Sequence, residues 1–280
     1  MQTLQSRFTH FRAARRGTVA AMLLAFPFSF LHAADALTSD QKEEFLRKAK
    51  IVQVKEAAKG VTGTLRVTLD DGKIKHDASV QRINEAKTVY QTTDGHTELN
   101  FKDSYTFNIA GWRLAKLVGL ENMVPPSVER PYQGQSASYT WWIDDIQMDE
   151  VDRLSRKLEA PDQDAWTKEV AIMHAFDELI YNMDPNATNI LIDKQWHIWL
   201  IDHTRAFRLP KTLRNPANLS RIDRTMLAKM KMLDEDTLRK ELGHYASRDE
   251  VRSLLARRDV MVKFFESKGE GVLFDRPQRD

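Results

Sequence analysis

The segment from Phe176 to Phe207 places acidic and amide side chains at the edges of short apolar runs. Asp184 ends a helical pattern, Asn189 opens the run I-L-I, and Asp202 comes directly after the run W-L-I. If the two runs pair as an antiparallel hairpin, Asn189 and Asp202 lie at the same end, with the loop after Asp184 folded over it. Two carboxylates and an amide are hard oxygen ligands, which suit Mg²⁺ or Mn²⁺ and leave room for phosphate oxygens. The spacing therefore predicts a metal–phosphate site.

The alternative interpretation of these residues is ordinary turn chemistry. Asp-Pro-Asn is typical of turns, the amide of Asn189 can bond to backbone alone, and Asp202 can cap the following segment. The occurrence of all three at this spacing favours a site. Asp177, one heptad before Asp184, falls on roughly the same helical face and is a further candidate.

The flanking sequence predicts a sheet followed by helices. A helix capped by Ser39 precedes period-two alternation from Ile51 to about Ile83, with a turn at D-D-G. Asp103 is expected to cap one long helix that ends near Gly119, and 138–143 is expected to be extended. Helices are predicted for the remainder, at 146–158, 164–183, 222–233, 235–242 and 248–267.

The first 34 residues have the pattern of a secretory signal peptide. Four arginines precede a short apolar run, and small residues follow at Ala33, Ala34 and Ala36. We expect cleavage after Ala34 and a secreted or periplasmic protein; an uncleaved anchor is the alternative. No later segment is apolar enough to span a bilayer. Removing the four arginines changes the formal charge from +2 to −2, which gives no reason to expect nucleic acid as a partner.

The order of Asp184, Asn189 and Asp202 resembles the catalytic and metal-binding layout of the protein-kinase-like fold. Locally, D-E-L-I-Y-N-M-D at 177–184 is similar to the D-x-L-x-x-N-x-D of secreted Fam20-type kinases, and D-H-T-R-A-F at 202–207 to their D-x-G-R-x-F. HipA-type and phosphoinositide-type kinases share the coarser spacing. The resemblance implies an α+β fold with a small antiparallel-sheet N-lobe and one long helix at 35–143. A helix-rich C-lobe at 144–280 would contain the hairpin at 184–207.

The resemblance also implies a role for each residue. Asp184 would orient or deprotonate the acceptor hydroxyl, while Asn189 and Asp202 would hold Mg²⁺ or Mn²⁺ against the phosphates of ATP or another nucleotide. The turn G-V-T-G, with Gly60 and Gly63, lies where a phosphate-covering loop would be, although plain turn glycines are the alternative. The supporting residues would be Asp177, Asn182 and Arg205. Arg205 is equally consistent with a structural ion pair.

The upper half of the expected nucleotide site departs from the family pattern. Gln81 stands where the phosphate-facing lysine is expected, and Asn108 where its glutamate partner is expected. These two amides can hydrogen-bond each other and so keep the geometry without the charge. Lys102, just before the long helix, is the favoured replacement cation, with Arg82 and Lys87 as alternatives.

Three functions are therefore compatible with the sequence. The first is an exported atypical kinase-like phosphotransferase whose acceptor is a protein, sugar or lipid hydroxyl. The second is a pseudokinase-like module that binds nucleotide or a partner without catalysis, which the loss of the Lys–Glu pair favours. The third is a metal-dependent hydrolase that uses the same carboxylates with water. The sequence does not specify an oligomeric state.

Overall fold

The structure, a computed structural model, describes residues 37–56, 63–91, 95, 97–276 and 279. The predicted signal segment 1–34 and Gly60 lie outside these residues. Within the described part of the chain, no helix is long and apolar enough to cross a membrane.

The first part of the chain forms an antiparallel sheet with one helix packed on it. The elements are α1 (Ser39–Lys48), β1 (Lys50–Glu56), β2 (Leu65–Asp70), β3 (Lys75–Gln81), β6 (Ser127–Tyr132) and β7 (Gln135–Trp141). The sheet has the strand order β1-β2-β3-β7-β6, and buried Val67 and Ala78 face each other across β2 and β3. The predicted D-D-G turn joins β2 and β3, because the Asp71 carboxylate accepts the amides of Lys73 and Ile74, each at 2.8 Å.

A second, two-stranded sheet stands between β3 and the long helix, where the sequence indicated only a polar stretch. Its strands are β4 (Asn84–Gln91) and β5 (Thr97–Ser104), paired antiparallel, and the long helix α2 runs from Thr106 to Val118. The prediction that Asp103 caps α2 is wrong. The residue before α2 is Tyr105, which makes no side-chain cap, and Asp103 lies inside β5 opposite Glu85.

The second part of the chain is rich in helices and contains the predicted hairpin. The prediction of a helix from 146 is wrong at its start, because Met148 pairs with Ile192 in a strand and the helix begins only at Glu150. The elements are β8 (Ile146–Asp149), α3 (Glu150–Ser155), α4 (Gln163–Ile180), β9 (Ile190–Asp193), β10 (Ile198–Leu200), β11 (Ile222–Asp223), α5 (Arg224–Met232), α6 (Glu235–Leu242), α7 (Arg248–Lys268) and β12 (Leu273–Phe274).

Helix α2 connects the sheet to the helical part. Fully buried side chains such as Phe107, Trp112 and Leu114 belong to the same apolar core as Phe176 of α4 and Met226 of α5. A smaller core lies between α1 and the five-stranded sheet. The fold class predicted from the sequence is confirmed: an antiparallel-sheet region with one long helix precedes a helix-rich region that contains the hairpin. The lobe boundary at 143/144 stays a prediction.

Candidate functional site

The β9–β10 hairpin brings Asn189 and Asp202 to one end, as the sequence predicts. Ile190 pairs with Leu200 across the hairpin, and the Ile201 amide donates to the Asn189 carbonyl at 3.0 Å. Asp202 is the next residue after this last bond. Because the register is fixed by apolar residues on both strands, the backbone of Asn189 and that of Asp202 cannot move apart without breaking the hairpin.

Asp202 has a backbone conformation that turns the chain sharply at the end of β10. Its φ is +57°, in the left-handed region that aspartate tolerates better than most residues. Its carboxylate accepts the Thr204 hydroxyl at 3.0 Å, and the Gln81 amide lies close to it. Burial raises the pKa of Asp202; the Gln81 amide and Thr204 lower it, and the nearby charge of Asp184 raises it again. The charges of Asp184 and Asp202 are therefore close enough to repel each other.

Two buried amides bridge the sheet and α2 above Asp202. Asn108 Nδ2 donates to Gln81 Oε1, so the hydrogen bond predicted for this pair is present. The Gln81 amide nitrogen also donates to the Thr64 hydroxyl at 3.1 Å, while Asn108 Oδ1 accepts the His203 amide at 2.7 Å. These bonds connect β3, α2 and the turn after Asp202, and their side chains carry no charge.

A second chain of hydrogen bonds positions the backbone before Asp184. Asn182 Nδ2 donates to Asp177 Oδ1 at 2.9 Å, and Asn182 Oδ1 accepts the Asp184 amide at 3.1 Å. Tyr181, with φ +51°, ends helix α4 in the left-handed conformation and allows this reversal. Burial raises the pKa of Asp177 to about 6, and this half-buried carboxyl supports the turn through Asn182.

Other predicted site residues are engaged elsewhere. Lys102, the favoured replacement cation, lies in β5 and pairs with Glu250 at 2.8 Å, so its ammonium is directed toward α7. Arg205 pairs with Glu98, as the structural alternative expected. Lys87 pairs with Glu85 at 2.9 Å and Arg82 lies over the Tyr132 ring. Gly63 has φ +69° and open space around its Cα, which fits a turn glycine.

The structure adds Asp103 to this group, a residue that we assigned to a helix cap. Asp103 is 8% exposed, and its Oδ1 is buried without a hydrogen-bond partner among the described residues. The Ser104 amide donates to the Thr204 carbonyl at 2.9 Å, which joins the end of β5 to the turn after Asp202. The alternation of apolar and polar residues in L-N-F-K, directly before Asp103, was the available indication of a strand.

A cavity of about 690 Å³ opens next to the site. The β4–β5 hairpin forms one wall, and Met183, directly before Asp184, lies in another. Lys102 and Glu250 line this cavity as an ion pair, and Leu99 is 66% exposed at its edge. The cavity therefore offers apolar surface and paired charges beside Asp184.

The residues at this site fit a divalent cation whose coordination is completed by phosphate and water. Among the described residues, no group of three or more His, Cys, Asp or Glu side chains is arranged to hold a metal. Asp202 and Asn189 supply a carboxylate and an amide at one hairpin end. This small set of hard oxygens matches the way Mg²⁺ is held by one or two carboxylates plus substrate phosphates.

Comparison with known proteins gives little beyond this geometry. No protein-family model and no curated protein matches the chain. Among solved structures the chain is similar to the crystal structure of a Helicobacter pylori proinflammatory kinase, CtkA, with 9% identity and a TM-score of 0.49. The similarity covers 77% of this chain and 92% of that chain. At that score the likeness stands as an observation alone.

Proposed function

We propose that this chain is a kinase-like phosphotransferase that uses a nucleotide and a divalent cation. The observation that carries the proposal is the convergence of Asn189 and Asp202 at one hairpin end, with Asp184 close enough to raise the pKa of Asp202. Phosphoryl transfer depends mainly on positioning and on charge stabilisation, and these residues can supply both.

Each residue has a role that follows from its contacts. Asn189 and Asp202 would hold Mg²⁺ or Mn²⁺, which would neutralise charge on the nucleotide phosphates. Asp184, fixed through Asn182, would orient the acceptor hydroxyl and accept its proton. The acceptor is a protein, sugar or lipid hydroxyl, and the cavity beside Met183 is where we place it.

Gln81 and Asn108 favour a second candidate function, a binding module without catalysis. In protein kinases a charged Lys–Glu pair at these positions sets the phosphates. Here the pair is uncharged and hydrogen-bonded, and the Gln81 amide lies close to the Asp202 carboxyl. Because phosphate transfer is stabilised electrostatically, the missing cation lowers catalysis more than it lowers fold stability or nucleotide binding.

A titration with nucleotides separates these functions. The thermal midpoint of the purified protein is measured with ATP and Mn²⁺ or Mg²⁺, alone and together, and transfer of labelled γ-phosphate to protein, sugar and lipid acceptors is followed in parallel. Metal-dependent stabilisation with transfer supports the phosphotransferase. Stabilisation without transfer supports the binding module, and release of free phosphate in place of transfer indicates a hydrolase. No stabilisation by any nucleotide–metal pair overturns the phosphotransferase and leaves a module that binds a partner without nucleotide.

A double substitution tests the role of the amide pair. Gln81→Lys combined with Asn108→Glu restores the charged pair, and we expect transfer to increase with it. Asp236→Asn, on the exposed face of α6, serves as the control. An unchanged rate in a folded double variant would show that these positions do not limit phosphate transfer.

We also propose that residues 1–34 direct export and are then removed. Mass spectrometry of the N-terminus, on protein from the fractionated host, tests this proposal. The expected mature chain begins after Ala34 and lies outside the cytoplasm. An intact Met1 in the soluble cytoplasmic fraction would contradict it.

A further inference from the structure

The turn after β10 brings a second carboxylate toward Asp202. Asp103 lies near the end of β5, and the Ser104 amide donates to the Thr204 carbonyl at 2.9 Å. The Thr204 hydroxyl donates to Asp202 Oδ1 at 3.0 Å, and the Thr204 side chain lies close to the Asp103 carboxyl. One hydroxyl has one proton and cannot satisfy both carboxylates. Thr204 therefore leaves one of the two carboxylates, Asp103 or Asp202, without a hydrogen-bond donor.

The unmet demand falls on Asp103. Its Oδ1 is buried and has no hydrogen-bond partner within the described part of the chain, and the residue is 8% exposed overall. Buried carboxylate oxygens in folded proteins are nearly always hydrogen-bonded or bound to a cation, since leaving one unpaired costs stability.

We propose that Asp103 and Asp202 together form a divalent-cation site, in which the buried Oδ1 of Asp103 is a direct ligand. The inference rests on the proposed function, which already assigns a cation to Asp202. It adds a ligand from the β4–β5 hairpin, so this hairpin becomes part of the metal site. The preferred ion is a hard cation such as Mn²⁺ or Mg²⁺, since the ligands are carboxylate and hydroxyl oxygens.

An ion pair with Arg205 is the competing explanation for Asp103. Arg205 Nε is also buried and has no hydrogen-bond partner among the residues that the structure describes, and its positive charge lies near Asp103. The guanidinium already pairs with Glu98 and lies over the Phe101 ring. The two explanations predict opposite effects on the metal-free protein. Removing a partner of Arg205 destabilises the fold, whereas removing one of two crowded carboxylates does not.

The test measures Mn²⁺ binding by the full chain and its thermal midpoint. Free Mn²⁺ is followed by electron paramagnetic resonance, with and without a non-hydrolysable ATP analogue. Asp103→Asn removes the charge and keeps the shape. Glu85→Gln is the matched control, because Glu85 is an exposed carboxylate directly opposite Asp103 in the β4–β5 pair. Asp202→Asn reports on the site of the proposed function itself.

We expect Asp103→Asn to weaken Mn²⁺ binding by roughly tenfold or more while the metal-free thermal midpoint is held or raised. Glu85→Gln should bind Mn²⁺ as the unsubstituted protein does. Unchanged Mn²⁺ affinity in Asp103→Asn overturns the inference, and if Asp202→Asn alone loses binding, the proposed function survives. A lower metal-free thermal midpoint in Asp103→Asn, or failure of this variant to fold, also overturns the inference and favours the Arg205 ion pair. Absence of Mn²⁺ binding in the unsubstituted protein overturns the inference and the metal site together.

Discussion

The Asp177 carboxyl offers a quantitative test of how the turn before Asp184 is held. It lies one turn before the end of α4 and accepts Asn182 Nδ2 at 2.9 Å. Burial raises its pKa from 3.8 to about 6, despite the bond from Asn182, and the neighbouring charge of Glu178 raises it further. Glu178 is itself buried and accepts the amides of Arg214 and Asn215. Asp177 is therefore charged at neutral pH in surroundings that favour its neutral form.

A pKa raised from 3.8 to about 6 corresponds to about 3 kcal/mol. Because the folded state binds this proton more tightly, stability from Asp177 is greatest below the unfolded pKa. It is lost as the pH rises through the folded pKa. Asp177→Asn keeps an oxygen for Asn182 and removes the charge. We expect it to raise the free energy of unfolding at pH 8 by up to about 3 kcal/mol. At about 2–4 °C per kcal/mol, the thermal midpoint would rise by roughly 6–12 °C.

The assay is denaturant unfolding of both proteins between pH 4 and pH 8, analysed as the difference between them. The contribution of His203 to the pH dependence must cancel in this difference. Burial lowers the pKa of His203 to about 4, so this residue reduces the free energy of unfolding as the pH falls below 6.5. It is the same in both proteins. Asp71→Asn is the control of opposite sign, because the amides of Ile74 and Lys73 lower the pKa of Asp71. A difference that does not vary with pH, or a less stable Asp177→Asn at pH 8, would refute the reasoning.

Two further predictions concern how the walls of the cavity are held. Glu98→Gln removes the carboxylate that pairs with buried Arg208 at 2.6 Å and should cost about 3–5 kcal/mol. Denaturant unfolding and hydrogen exchange in β5 measure this effect, and a loss no larger than that of Glu85→Gln would contradict it. Arg257→Met removes the donor to three carbonyls, at 2.6 to 3.0 Å, and should cost about 3 kcal/mol or more. The exposed Arg252→Met in the same helix should cost little, and equal losses in thermal midpoint would be inconsistent with this role.

The hairpin could be predicted from sequence because its determinants are local. The two apolar runs that form β9 and β10 lie within a dozen residues of each other along the chain. The register of the hairpin they form places Asn189 beside Asp202. The amide pair of Gln81 and Asn108 followed from the resemblance to the kinase-like pattern, which places the two positions on one strand and one helix. In each case the neighbours in space were also near in sequence or fixed by an element with a clear period.

The β4–β5 hairpin could not be predicted in the same way. Strand β4 is exposed along nearly all its length, so its residues do not alternate between apolar and polar. Period-two patterning appears only where one face is buried, and here that is the end of β5. Asp103, placed beside a predicted helix, therefore looked like a cap. Because Asp103 lies in a strand, its neighbours are Thr204 and Asp202 and not the first amides of helix α2.

The direction of the Lys102 side chain could not be predicted for a different reason, and its role as a replacement cation stays a prediction. Its partner Glu250 is 148 residues away in α7, and no local pattern connects the two. A lysine near an expected phosphate site has the right charge, but its direction is decided by tertiary packing. The same holds for Arg205, whose partner Glu98 belongs to the hairpin that the sequence did not indicate. Ion pairs between residues far apart in sequence are the part of this site that can be found only from the structure.

The most direct test of the central claim is the affinity of the protein for a nucleotide–metal pair when Asp202 is changed. Isothermal titration calorimetry with a non-hydrolysable ATP analogue, with and without Mn²⁺, compares the unsubstituted chain, Asp202→Ala and the exposed control Asp236→Asn. The account predicts metal-dependent binding in the unsubstituted protein and the control, and its loss in Asp202→Ala. Equal affinity in all three proteins would contradict the assignment of the β9–β10 hairpin as a metal–phosphate site.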